Sequence, residues 1–452
     1  MVGVICLWAL TGCIDDEEGL PKTVAEVAER LKSDDEEYYW LSETLRKHPE
    51  FVNAAHGLRK LIWVAISNDK RRFLEEFIAA GAEIDAPTAA FLGEIDWLER
   101  HFKRGGDIEE VFEIDEHFLW NWPWHSLLRI AVRGGQAKTV AYLLKKGSKR
   151  FEHELKQLKR GDLLTDAAYF GDEETVDLLI QTGAANAAEA AFSLCHEPER
   201  LPMLAHLLRR IPELVTHVYA AKDDDRPFRR AGSTLLMLAV GNPGAVELLL
   251  ASGARANAKD VDGRNAIDYL RFHAGPSPRS TAKRLRAAGA EWSPGTLLCY
   301  GDVDEIEKAI RDGRLGVNAP FKFDDPRDRL PLVVATEAGR PEVIKFLIAR
   351  GADPFQRLEN EPSAVALIEH GVVGRQALAA LLSGLDDKGR QRLRAWRDDK
   401  RGDTPLHTLA VQGNIAAIRL LLKAGVDRTV RNKYGKTAAD LACNDVVRRE
   451  LQ

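Results

Sequence analysis

The stretch Asp403 to Ala442 constrains the fold more than any other, because imperfect copies of it recur along most of the chain. It opens Asp403-Thr404-Pro405-Leu406-His407-Thr408-Leu409-Ala410, passes Gln412-Gly413-Asn414, runs through Ala417-Ile418 and Leu420-Leu421-Leu422, and closes at Ala424-Gly425-Val426-Asp427. Thr404 and Pro405 suit a tight turn entering a helix, where a hydroxyl caps free backbone N–H groups and proline is tolerated at the first helical position. Leu406, Leu409 and Ala410 recur at helical spacing and give that short helix one apolar face. Gly413 can end the first helix and Gly425 the second, since glycine reaches the left-handed conformation at little steric cost. The unit is helix, turn, helix, loop. So small a unit cannot bury its own apolar face, and copies must stack beside it.

The copies begin near Leu58. One runs through Leu61, Ala65, Leu74 and Phe77 to Gly81-Ala82-Glu83-Ile84-Asp85, and a shortened one spans Ala90 to Gly106. Leu127-Leu128-Arg129-Ile130-Ala131 leads to Gly147, and Leu164 to Gly171 leads to Gly183-Ala184. The closing glycines Gly147 and Gly183 are 36 residues apart, as are Gly253 and Gly289. Thr234 to Gly253-Ala254 is a good copy, Asp262 to Ala266 opens one interrupted by His273 to Pro278, and others end at Gly313 and Gly351-Ala352-Asp353. Two spans are degenerate: Ala187 to Val218, with Leu204, Leu207 and Leu208 as its second-helix face, and Ser363 to Gly384. Asp386 to Arg401 reads as a charged connector, and Asn432 to Ala438 starts a half-copy that caps the C-terminus. Roughly ten to twelve units result, enough to stack a continuous core. Sheet signals are nearly absent apart from short hairpin-like fingers between copies, such as Asn257 to Gly263.

The Thr404-Pro405-Leu406-His407 element, the Gly413 and Gly425 stops and the repeat period together resemble the ankyrin repeat. The resemblance covers most of the chain, strongly at Asp403 to Ala442 and Gly232 to Gly263 and weakly in the two degenerate spans. It implies an all-α, ankyrin-repeat α-solenoid of helix-turn-helix units with short hairpin-like loops over residues 58–452. It also implies work by recognition of another protein, through a curved concave surface, with no cofactor and no small-molecule substrate. In that family the histidine slot, here His407, hydrogen-bonds neighbouring turns. Thr404, Pro405, Leu406, His407, Gly413 and Gly425 are therefore read as structural repeat residues.

The first residues follow a different rule. Met1 to Ala9 is short, uncharged and apolar, and Leu10-Thr11-Gly12-Cys13 precedes the abruptly acidic Asp15-Asp16-Glu17-Glu18. Leu-Thr-Gly-Cys resembles a bacterial lipobox, which implies lipidation of Cys13 and a place in the bacterial cell envelope, tethered to a membrane. No Lys or Arg precedes the apolar run, a departure from ordinary secretory signals. Residues 1–12 are thus expected to be a signal segment, and 13–57 an acidic tether with one amphipathic helix through Val24, Val27, Ala28 and Leu31. The alternative expectation is a cytosolic ankyrin adaptor in which Met1 to Cys13 is ordinary sequence. An immunity-like protein that sequesters a toxin or effector is a further one, by analogy.

Chemistry is hard to place in this sequence. The formal charge of −5 is small for 452 residues, and no long basic block appears, which argues against nucleic acid. Cys6, Cys13, Cys195, Cys299 and Cys443 form no C-x-x-C pair, so neither a disulfide framework nor a metal site is expected. The last three read as small buried apolar residues. Gly435-Lys436-Thr437 ends like a phosphate-binding loop, but Val430 stands where that motif needs glycine. No nucleophile, base or metal set converges, so no catalytic residue is expected, and an enzyme with its site hidden in the degenerate segments is the last alternative. The remaining candidates are for partner binding. Trp120, Trp122 and Trp124 alternate, so an extended segment points all three to one side, and tryptophans anchor interfaces as readily as cores. Two insertions mix charge with aromatics: one carries Asp224, Arg226 and Phe228, the other Phe321, Phe323 and Arg327. Insertions in repeat proteins map to loops on one face, often the binding face.

Overall fold

Stacked helical repeats leave each first helix walled in on several sides and each second helix walled in on one. A computed structural model shows this arrangement in most repeats among the described residues. It describes residues 20–32, 39–56, 59–67, 71–113, 124–147, 149–156, 163–184, 186–220, 230–272, 277–323, 325–359, 361–368, 373–398 and 400–452. They fall into two compact units, Met1–His217 and Val218–Gln452.

In the first unit the helix pairs are Leu61–Ser67 with Arg71–Ala79, Ala86–Leu92 with Ile95–Lys103, Leu127–Arg133 with Ala137–Lys146, Leu163–Phe170 with Glu173–Gln181, and Ala187–Leu194 with Leu201–Arg210. Leu127–Arg133 is buried along its whole length, whereas Ala137–Lys146 buries only Ala137, Thr139, Val140 and Leu143. The N-terminal cap has two helices, Val24–Lys32 and Tyr39–Lys47, rather than the single one expected. Trp40, Leu41 and Leu45 give the second helix an apolar face that the neighbouring run of acidic residues disguises.

The second unit has Leu235–Leu238 with Pro243–Ala251, Ala266–Tyr269 with Pro278–Ala287, Pro294–Tyr300 with Val303–Arg311, Pro331–Glu337 with Pro341–Ala349, and Pro405–Gln412 with Ile415–Lys423. In the degenerate span the first helix shrinks to the 3-10 turn Ala366–Ile368 ahead of Arg375–Gly384. The supposed connector after it is mostly the helix Asp387–Ala395, capped by Asp386, which accepts the Gly389 N–H at 2.7 Å, and held down by the buried Leu393. The C-terminal half-copy is the 3-10 turn Ala439–Leu441 and the helix Asp445–Leu451, which buries Val447 and Leu451.

The start of the first helix carries the polar stitching between repeats. Its N-cap side chain accepts the N–H three residues on: Asp85 from Thr88 at 3.1 Å, Ser126 from Arg129 at 3.1 Å and Ser293 from Thr296 at 3.4 Å. At Arg129, Asp268 and His407 the side chain in that third position also bonds to the next repeat, whereas Thr88 turns back to its own cap at 2.7 Å. Arg129 pairs with Asp166, and Asp268 accepts from Ser293 Oγ at 2.6 Å. His407 Nε2 lies 3.0 Å from the Lys436 carbonyl, while Nδ1 lies 3.1 Å from the Thr404 N and 2.8 Å from Thr404 Oγ1. A carbonyl only accepts, so Nε2 carries the proton there and Nδ1 accepts from Thr404. A second latch recurs in the loops: the side-chain oxygens of Asn53, Asn257 and Asn318 accept the N–H of Glu83, Glu291 and Asp353 at 2.8, 3.1 and 2.9 Å. Gly413 and Gly425 stand at φ +74° and +81°, in the left-handed region that ends their helices.

Three two-stranded antiparallel hairpins are present among the described residues: Ala55–His56 with Arg59–Lys60, Val111–Glu113 with Trp124–Ser126, and Phe321–Phe323 with Asp325–Arg329. Asn257 to Gly263 is a tight turn without a strand ladder, closed by Asp260 N donating to Arg264 O at 2.9 Å. Cys195 is buried, but Cys299 is half-buried and Cys443 exposed, so the expected burial fails for the last two. Among the described residues no helix is long and apolar enough to cross a membrane.

Candidate partner-binding surface

Every described hairpin runs directly into the first helix of a repeat. Arg59–Lys60 precedes Leu61–Ser67, Trp124–Ser126 precedes Leu127–Arg133, and Asp325–Arg329 precedes Pro331–Glu337. Val218 and Thr234 form an isolated antiparallel bridge, backed by Tyr219 N donating to Ser233 O at 2.9 Å, immediately before Leu235–Leu238. Within each unit the described hairpins thus occupy one position of the repeat, the finger ahead of the first helix, whereas the interruption that begins at His273 falls between the two helices of its pair.

Several expected site residues fall outside the described residues: Cys13, Trp120, Trp122, Asp224, Arg226 and Phe228. The backbone of Trp124 pairs with Glu113, and that of Arg327 belongs to the strand Asp325–Arg329, but the side chains of both lie outside what is described. Phe321 and Phe323 share one side of their strand, with ring centroids 5.9 Å apart. Phe323 was expected to face a partner, and instead it is only 4% exposed. The Arg271 guanidinium lies 3.8 Å over its ring, and a methyl at Gly295 would fall 1.8 Å from its Cε2. Phe321 is half-buried, and Lys322 faces out, 2.9 Å from Asp328 across the strand pair. Arg329 is bracketed by Glu337 and the buried Glu361, whose Oε2 also accepts the Leu330 N–H at 3.0 Å. This hairpin is therefore rooted in the core by one face.

The structure also assembles residues that the sequence did not single out. In the first unit the half-buried Trp63 donates its indole N–H to Asp85 at 3.1 Å and meets the Phe112 ring edge-on at 5.9 Å, while Lys60 lies 3.0 Å from Asp85. Trp63 follows Lys60 by three positions, the slot that His407 fills elsewhere, and that offset was the available signal. In the second unit Val218, Val261 and Tyr434 are exposed by 56%, 69% and 71%, all at finger positions. Asp260 holds its finger by accepting from Asp262 N at 2.9 Å, Arg264 N at 2.8 Å and the Tyr269 hydroxyl at 2.9 Å. Burial, together with that bond to a carboxylate, pushes the Tyr269 phenol well above its ordinary range.

Two open grooves mark the second unit. One, of about 550 Å³, is lined by Arg286, Trp292, Glu305, Lys308 and Arg314, with Trp292 Nε1 donating to Glu305 at 2.9 Å. The other, of about 310 Å³, lies between Phe355 and Gly384, with Arg392 stacked 4.2 Å over Phe355 and 2.9 Å from Asp353. In the first, Arg286 also lies 3.5 Å from Glu305. Among the described residues no group of His, Cys, Asp and Glu is arranged to hold a metal ion.

The family model for the ankyrin repeat matches residues 231–261 and 401–433. The chain carries ankyrin repeats. These repeats are protein-binding units, and they include the two stretches on which the sequence resemblance is strongest. Similar proteins include the Arabidopsis thaliana E3 ubiquitin-protein ligase KEG, 23% identical over 62% of this chain and 17% of that protein. The probable 26S proteasome regulatory subunit p28 of Saccharomyces cerevisiae is 27% identical over 45% of this chain and 89% of its own length. The human DNA-binding protein RFXANK is 33% identical over 17% of this chain and 27% of its own length. The chain therefore spans under a fifth of the ligase. A chain in the solved complex of the predatory endopeptidase Bd0816 from Bdellovibrio bacteriovorus with immunity protein Bd3460 aligns over 45% of this chain and 98% of its own, at 20% identity and a TM-score of 0.32.

Proposed function

We propose that this ankyrin-repeat chain is a non-catalytic scaffold that captures a protein partner on its fingers while Cys13, carrying lipid, holds it at a membrane face of the bacterial envelope. The observation that supports finger-mediated capture is the placement of every described hairpin at the same point of the repeat, ahead of a first helix. Insertions so placed extend one face of the repeats within each unit, and affinity then comes from a few anchors on it. The Leu10-Thr11-Gly12-Cys13 run supports the tether. A single acyl chain binds membranes only marginally, so the proposal needs more than one chain on Cys13.

Affinity capture from the native host, with wild type beside a Trp120/Trp122/Trp124 triple alanine variant, tests the scaffold. A stoichiometric protein partner lost on the triple variant supports the reading, and failure to capture any partner sinks it. Intact mass tests the tether separately: a chain that keeps Met1 to Gly12 and has no lipid on Cys13 removes the envelope and leaves a cytosolic adaptor.

A further inference from the structure

The stretch that carries the last two fingers runs against the charge balance of the rest of the chain, while the fingers Asp398–Asp403 and Asn432–Lys436 themselves hold four Lys and Arg against three Asp. Residues 386–436 hold thirteen Lys and Arg against six Asp and Glu, in a chain whose net charge is −5. The fingers themselves are built on carboxylates and amides turned inward. Asp398 accepts the backbone N–H groups of Lys400, Arg401 and Asp403 at 2.8, 2.7 and 2.6 Å. Burial pushes its carboxyl up, but those amides outweigh burial and hold it below its ordinary range. Asn432 accepts from Tyr434 N at 3.0 Å and Lys436 N at 3.1 Å, and donates to the buried Asp403 at 2.7 Å. The two tips are stitched together by Lys433 N donating to Arg401 O at 2.9 Å and Lys433 Nζ to Lys400 O at 3.2 Å.

The consequence is a stitched pair of tips in which Asp398 and Asp403 are occupied by backbone and side-chain amides while Lys400, Arg401 and Lys436 stay exposed. Lys400, Arg401, Arg428, Lys433 and Lys436 are all exposed, with Tyr434 among them. None of Lys400, Arg401, Arg428 and Lys436 is ion-paired to a described carboxylate. Like charges held this close repel one another, and the repulsion is relieved when an anion settles between them. Preformed tips lose little freedom on binding, and an exposed phenol gives such a partner an apolar anchor.

We propose that the fingers Asp398–Asp403 and Asn432–Lys436 form the docking site for an acidic, extended segment of a protein partner. The carboxylates of that segment sit against Lys400, Arg401 and Lys436, and an apolar residue of it packs on Tyr434. This inference rests on the scaffold reading and names its partner chemistry. Nucleic acid is disfavoured because the cations are confined to two short tips rather than laid along a stripe.

The test is binding of a fluorescently labelled poly-glutamate peptide to the full-length chain, at about 0.15 M salt and below, where screening is weaker. The variant Lys400→Glu/Arg401→Glu/Lys436→Glu is expected to weaken binding by about tenfold or more, with a shallower salt dependence. Lys138→Glu/Lys145→Glu, at exposed positions of the first unit, is expected to change it by less than about twofold. If the triple reversal fails to fold, Lys400→Gln/Lys436→Gln and Tyr434→Ala report on the same site. No binding by wild type, binding indifferent to the finger variants, or tighter binding of a single-stranded DNA of equal charge would each overturn the proposal. A partner captured from the host that ignores the finger variants defeats this inference but leaves the scaffold standing, whereas capture of no partner at all defeats the scaffold.

Discussion

Arg340 offers the sharpest test of how neighbouring repeats are joined in the second unit. Its side chain is 6% exposed, and its guanidinium donates to Cys299 O at 2.6 Å, Gly301 O at 2.7 Å and Leu298 O at 3.3 Å. Those carbonyls belong to the end of the helix Pro294–Tyr300, which has no helical partners left to offer them. A cation at a helix C-terminus also opposes the negative end of the helix dipole. The fourth contact, to Glu342 at 2.9 Å, is with a half-exposed carboxylate and adds little. Charged hydrogen bonds contribute about 1.5–3 kcal/mol each. With two short bonds and one long one lost, and a cavity left behind, Arg340→Ala should cost about 3–5 kcal/mol locally. Arg340→Met keeps the stem and removes only the donors, so it should cost somewhat less, about 2–4 kcal/mol. Hydrogen exchange read by mass spectrometry reports this directly. Amides in Pro294–Tyr300 and Val303–Arg311 should lose about a hundred- to a thousandfold in protection in Arg340→Ala, while Leu127–Arg133 in the first unit stays unchanged. Protection within about threefold of wild type in that segment would refute the idea that this guanidinium bridges the repeats.

Further outcomes are expected elsewhere. Arg129 and Asp166 are both buried and paired, so removing either alone should cost about 3–5 kcal/mol. The double change to apolar residues should cost less than the sum, and additive losses in a double-mutant cycle on urea unfolding would contradict the pairing. Burial pushes the Glu154 carboxyl above its ordinary range, although Ser126 Oγ donates to it at 2.7 Å and Arg129 lies nearby. A raised folded-state value means stability is fully present below the unfolded pKa and is lost as pH rises through the folded one. The first unit should therefore lose stability as pH climbs above the ordinary carboxylate range, and Glu154→Gln should flatten that dependence in thermal melts. Gly295→Ala would place a methyl against the Phe323 ring and should destabilise the second unit by about 1–3 kcal/mol, with Phe323→Leu relieving part of the loss in the double variant.

Much of this architecture was legible before any coordinates. Gly413, Gly425 and the Leu420-Leu421-Leu422 run are local signals, and a signal within a few residues survives in sequence whatever surrounds it. His407 was legible for the same reason, because its slot is defined by Thr404 three positions earlier. Asp386 to Arg401 was not, since one buried Leu393 among cations sets its helix and no period betrays it. The tryptophans were half legible: Trp63 and Phe112 meet across 49 residues, and nothing near either one announces the other. Phe323 misled in the same way, because Arg271 and Gly295, which enclose it, belong to earlier repeats.

The sequence by itself determined that this chain stacks short helix pairs, where they turn, and that its insertions interrupt the pattern at a few points. Only the tertiary structure decided that the described hairpins share one position in the repeat, that the aromatic residues of one of them belong partly to the core, and that Asp398 and Asp403 of the last fingers turn inward while Lys400, Arg401 and Lys436 stay exposed. The physical reason is range: helix and turn are set by neighbours along the chain, whereas burial and exposure are set by whatever the next repeat brings alongside.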